Sequence, residues 1–137
     1  MSSAKQDRAA TPNVPVSWGE LIDKLTILEI KADRIEGASA RKNVLAELDL
    51  LRGIAGPALS ADALLAERKG ALKRVNETLW EIEDNIRAKE KSGAFDAEFI
   101  ELARSVYKRN DERARLKKQI NVHTASEIVE EKSYRDY

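Results

Sequence analysis

One stripe of a long helical segment carries side chains able to do chemistry. Asn76, Trp80, Glu83 and Arg87 recur at steps of four, three and four residues, which stacks them along one side of a helix. Beside them Leu72, Val75, Leu79, Ile82 and Ile86 follow the heptad steps of a buried seam. A second polar set lies downstream. Heptad steps continued from Val106 put Arg109 and Arg113 where aliphatic side chains are expected, flanked by Asn110, Lys117 and Asn121. In one reading, Glu83 and Asp84 pair with these arginines across two helices, and the buried polar groups fix register because slippage leaves them unpaired. In the other, Asn76, Trp80, Asp84, Arg87, Asn110 and Arg113 line a small polar pocket. Its ligand would be a phosphorylated or sugar-like anion, held by arginine and amide donors.

Other chemistries fit the residues less well. Glu20 with Asp23, Glu81 with Asp84, and Glu98 with Glu101 each place two carboxylates on one helical face. All-helical nucleotide pyrophosphohydrolases hold magnesium with such pairs, but the order and spacing here differ, so neither metal nor cofactor is expected. Ile22-Asp23-Lys24-Leu25 invites comparison with the small helical chorismate mutases, yet Trp18 and Gly19 stand where an early arginine is wanted. His123 is the only histidine and has no acid-and-nucleophile set beside it. There are no cysteines, which excludes disulfides, thiolate metal sites and cysteine nucleophiles. No P-loop, dinucleotide fingerprint or nucleophile elbow is present.

The elements that must position these residues read as helices. Ser17 and Glu20 fit a capping box, and Leu21, Leu25, Leu28, Ala32 and Ile35 carry a first helix from about Trp18 to Glu36, closed by Gly37 as a left-handed cap. A second helix starts near Ser39 and buries Val44, Leu45, Leu48, Leu51 and Ala55. Gly53, Gly56 and Pro57 are expected to end it. A third runs from Ser60 to about Lys91, with Gly70 as a candidate kink. Ser92-Gly93 then gives a turn, and Asp96 caps a fourth helix reaching about Glu130. Two consecutive helices of about 30 residues would each span about 45 Å and form an antiparallel hairpin. The two shorter helices cover only part of it, so a homodimer is expected to cover the rest.

The chain has 137 residues, 42% of them apolar and 35% charged, with few aromatics. That balance suits one all-α domain, read here as residues 17–131 between a flexible arm, 1–16, and a tail, 132–137. The formal net charge is zero, so no general field attracts nucleic acid. No apolar run approaches a membrane span, and the arm lacks the apolar centre of a secretory signal. A cytoplasmic location is the expectation.

Several segments together resemble a small bacterial all-helical family classed only as a domain of unknown function. They are SWGELIDKLTILEIK at 17–31, NETLWEIEDNIR at 76–87, the stretch from Phe99 to Tyr107, Asn110-Asp111, and EEKSY at 130–134. The resemblance implies no established activity and no site residues. It does imply that the tail docks onto the body or onto a partner. The leading expectation is a non-enzymatic interaction or adaptor protein, with a possible protein partner. The alternative is a small-molecule binding protein or enzyme using the polar pocket.

Overall fold

The computed structural model describes residues 9–137, and every regular element within them is an α-helix. The chain is therefore all-α, with four helices and no strand among the described residues. Residues 9–16 of the expected arm have no regular structure; the rest of it lies outside the described residues.

Helix α1 spans Trp18–Arg34. Ser17 caps it, its side-chain oxygen accepting from the Glu20 amide at 3.0 Å. The reciprocal half of the capping box is replaced, because the Glu20 carboxylate reaches Lys117 at 2.7 Å instead. The helix stops two residues early. Ile35 is extended, and Gly37, at φ −64°, precedes the next helix rather than forming a left-handed cap.

Helix α2 spans Ala38–Ala61 and runs straight through Gly53, Gly56 and Pro57. Glycine weakens a helix interior by about 1 kcal/mol, but here packing decides. Val44, Leu48 and Ala55 are buried, and Leu51, Ala58 and Leu59 pack on the same core from both sides of the glycines. Each large aliphatic side chain buried contributes about 1.5–3 kcal/mol, enough to outweigh them. Leu45 points outward instead, 43% exposed. The break falls at Asp62, whose extended backbone and carboxylate cap α3 (Ala63–Ser92) by accepting from the Leu65 amide at 3.1 Å.

Helix α3 passes Gly70 unbroken and ends at Gly93, which adopts the left-handed conformation (φ 69°). Asp96 caps α4 (Ala97–His123), accepting from the Phe99 amide at 2.9 Å. α4 ends at His123 rather than near Glu130. Thr124 caps it, and the Ser126 amide turns back to the Asn121 carbonyl. His123 reaches the Asp62 carboxylate at 2.7 Å and ties the α2–α3 junction to the end of α4. The Asp62 carboxyl lies below the usual range, first through the Leu65 amide and then through His123.

Helix α1 packs against each of the other three, while α3 and α4 lie along one another. The core gathers Ile22, Leu25 and Leu28 of α1 with Leu48, Leu65, Leu72 and Ile120. It occupies one end of the molecule. From Glu83 to Gln119 no residue is buried. Among the described residues, no helix is long and apolar enough to cross a membrane.

Candidate functional site

The N-terminal turn of α1 is seated directly on α4. A Cβ at Gly19 would lie 2.6 Å from the Lys117 carbonyl oxygen and 2.9 Å from Asn121 Oδ1, so only glycine permits this approach. The first amides of a helix lack intrahelical acceptors. Here the Gly19 amide donates to Asn121 Oδ1 at 2.7 Å, and the Trp18 amide to Ser126 Oγ at 3.2 Å.

One turn further along, Asp23 is 1% exposed. Arg113 of α4 grips it with a bidentate fork, Nε to Oδ1 at 2.9 Å and Nη2 to Oδ2 at 2.5 Å. From α3, Asn76 Nδ2 donates to Asp23 Oδ1 and to Thr26 Oγ1, both at 2.9 Å; the Thr26 hydroxyl donates to the Asp23 carbonyl at 2.8 Å. The Asp23 carboxylate raises the Arg113 pKa further above its ordinary value. Lys117 adds a second cation, 2.7 Å from Glu20 and 4.0 Å from Asp23. Three helices thus meet on one buried carboxylate. A buried charge is tolerated only when paired and hydrogen-bonded in this way.

The chain after α4 crosses back over that helix as a strap. Glu130 lies 3.8 Å from Lys117, Lys132 pairs with Asp111, and the Tyr137 ring stands edge-on to Tyr107 at 4.8 Å. Lys132, and then Tyr137, hold the Asp111 carboxyl below its usual range. Beside the strap is a cleft of about 730 Å³, bounded by Asn110, Arg113, Lys117, Tyr107 and Tyr134.

A model of a family of unknown function, DUF6165, matches residues 13–137. The chain belongs to this family. No curated protein and no solved structure matches it. The family match takes in all four helices and the strap, so the Asp23 network and the cleft both lie within it.

The six residues expected to share a pocket do not all meet. Asn76 and Arg113 converge on Asp23, and Asn110 lines the neighbouring cleft. Trp80 is half-buried beneath the Arg34 guanidinium, 5.9 Å from its ring centre. Asp84 and Arg87 are exposed on α3, where Arg87 pairs with Glu83 at 3.3 Å. The expected pairing of Glu83 and Asp84 with Arg109 and Arg113 is also replaced. Arg109 bonds Glu112 of its own helix at 2.9 Å, and Arg113 takes Asp23. The physical reason is α1, which brings a desolvated carboxylate within reach of Arg113.

Residue-by-residue reading missed Asp23, Thr26, Lys117 and Asn121 as partners. A signal was present in the first of these. Gly19, Asp23, Thr26 and Ile30 follow heptad steps of their own beside the apolar ones, and all four are buried. The Glu20–Asp23 pair of carboxylates is shared with Lys117. Among the described residues, no cluster of three His, Cys, Asp or Glu side chains could hold a metal ion.

Proposed function

We propose that this chain is a non-enzymatic interaction protein, an adaptor that acts as a homodimer and offers an antiparallel α3–α4 hairpin to a protein partner. The observation that carries this reading is the unfilled half of the hairpin. No residue between Glu83 and Gln119 is buried, and Ile86, Phe99, Leu102 and Val106 are only half-buried. At the tip Phe95 and Ile100 remain 58% and 57% exposed, with Phe95 edge-on to Phe99. Two helices alone cannot enclose a seam, so a contiguous apolar tip of this kind marks an interaction surface. The test is partner capture by the full chain with and without Phe95→Asp and Ile100→Asp. Capture should be lost while circular dichroism and melting stay unchanged. Capture that survives both changes would place the partner elsewhere and remove the hairpin's role.

A second reading is favoured by the cleft beside the strap. Asn110, Arg113 and Lys117 face a volume large enough for a phosphorylated or sugar-like anion. A thermal-shift panel of nucleotides, nucleotide sugars and phosphorylated sugars tests it. A ligand at one hundred times its dissociation constant stabilises by about 2.7 kcal/mol. Asn110→Ala should abolish such a shift with the fold intact, whereas Arg113→Ala also disturbs Asp23 and is the less clean variant.

A further inference from the structure

We infer that the groove between Arg68 of α3 and the C-terminal part of α4 binds the phosphoryl group of a small phosphorylated molecule, at a site separate from the cleft beside the strap. Arg115, Lys118, Gln119 and Val122 share one face of α4. With Arg68 and His123 they bound a groove of about 550 Å³. Three of these six side chains are cations, and no carboxylate is among them. Asp62, 2.7 Å from His123, caps α3 and lines a different cleft beside Trp18. Cations elsewhere have their acids: Arg113 holds Asp23, Lys117 holds Glu20 and Lys89 holds Asp96. Arg68, Arg115 and Lys118 make no ion pair among the described residues, although the whole chain balances 24 cations against 24 acids.

Arg68 supplies an observation of a different kind. Its Nη1 donates to Gln119 Oε1 at 2.7 Å, which holds the guanidinium across the two helices. Its Nε is closed off from solvent yet has no acceptor among the described residues. A donor buried without a partner is costly. An anionic oxygen drawn against the guanidinium supplies that acceptor. A phosphoryl group brings several such oxygens at once, enough to meet an arginine fork and a neighbouring ammonium together.

The surroundings set the size of the ligand. Beyond Arg115 and Lys118, on the strap side, Glu130, Glu131 and Asp136 line the next cavity. An extended polyanion such as nucleic acid would meet those carboxylates, whereas a single phosphorylated molecule stays within the groove. Val122, 75% exposed, gives its carbon skeleton an apolar wall. Arg115 and Lys118 are themselves exposed, so the phosphoryl group reaches them directly from solvent.

The test is calorimetric titration of the full-length chain with pyrophosphate, with sodium chloride of matched ionic strength as the control. Wild type should bind pyrophosphate saturably, and the Arg68 Nε–H resonance should shift as it gains an acceptor. Arg115→Gln and Lys118→Gln change exposed side chains and should leave circular dichroism unchanged, yet each should weaken binding about tenfold or more. Asn110→Ala, in the strap cleft, should leave it intact. No saturable binding by wild type, or binding indifferent to the Arg115→Gln and Lys118→Gln double variant, overturns the assignment. Binding that Asn110→Ala abolishes belongs to the strap cleft and overturns it as well. An oligonucleotide that outcompetes pyrophosphate at equal phosphate concentration overturns the small-molecule class.

Discussion

The two ends of this molecule solve the problem of polar groups in a helical seam in opposite ways. At the α1 end, Asp23, Thr26, Asn76 and Asn121 are buried, and each is hydrogen-bonded across helices. Toward the C-terminal end of α3, Glu83, Asp84 and Arg87 stay in solvent, and the only bond among them is the local Glu83–Arg87 pair. The difference is a third helix. Where α1 lies across α3 and α4 it excludes water, and each polar group must find a defined partner. Where α1 is absent, charges keep their hydration and make weak pairs of less than about 1 kcal/mol. The seam residues look alike in the sequence; what differs is how many helices surround them.

The sharpest way to break this comparison is to make one isosteric change at each end. Asp23→Asn removes the charge that Arg113 grips, leaves a cation in a largely dry site and loses the fork. Deleting one member of a buried pair costs about 3–5 kcal/mol. Arg113 retains 30% of its side-chain exposure, so water relieves part of that, and a loss of about 2–3 kcal/mol is expected in urea unfolding. Gly19→Ala should follow closely. Its new methyl meets a backbone carbonyl at 2.6 Å, which cannot rotate away, and α1 must lift from α4 at a cost of about 1–3 kcal/mol. Both variants should also loosen the strap, because Ser126 and Asn121 anchor it through the same turn of α1. Hydrogen exchange at residues 127–137 would report this.

Most of the fold was legible because it follows from spacing and capping residues. Ser17, Gly93 and Asp96 each act near their expected helix ends, and apolar periodicity located all four helices. The boundaries that slipped are those where tertiary packing overrides a local signal. Gly53, Gly56 and Pro57 read as a stop, but Leu51, Ala55 and Leu59 bury on both sides of them. Gly37 reads as a left-handed cap, but the chain turns through extended residues into α2. The site was half legible. Asn76 and Arg113 stood out as polar residues at seam positions, and both are joined in one network. Asp23 was overlooked as their partner because its identity depends on which face of α1 meets α3 and α4. Helical periodicity gives faces and not pairings.

Glu29 offers a test of intermediate size, since it is charged like Glu83 and Asp84 but placed among three helices. Lys69, Lys73 and Arg52 lie 3.0, 3.3 and 3.7 Å from its carboxylate. Burial pushes its pKa up, but the two lysines outweigh that and hold it below the ordinary glutamate value. A depressed carboxylate stabilises the fold above the unfolded pKa, and that contribution is lost as pH falls through the folded value, because the unfolded chain takes up the proton first. Glu29→Gln should therefore cost about 1 kcal/mol at neutral pH. The gap from wild type should close as pH drops below the ordinary glutamate range. A gap independent of pH would mean that Glu29 acts through packing and not through charge.

The smallest effect belongs to the partner experiment at the other end. Asp84→Asn carries the same chemical change as Asp23→Asn, on a residue that is exposed. Its carboxylate is already hydrated, so neutralising it strands no cation, and stability should move by less than about 0.5 kcal/mol. Amides near Asp84 should also exchange faster than those near Asn76, because local opening there breaks no buried contact. If Asp84→Asn matched Asp23→Asn in cost, this end of α3 would have to be enclosed in solution. Repeating the measurement across protein concentration would show whether another chain covers it, as a stability that falls on dilution.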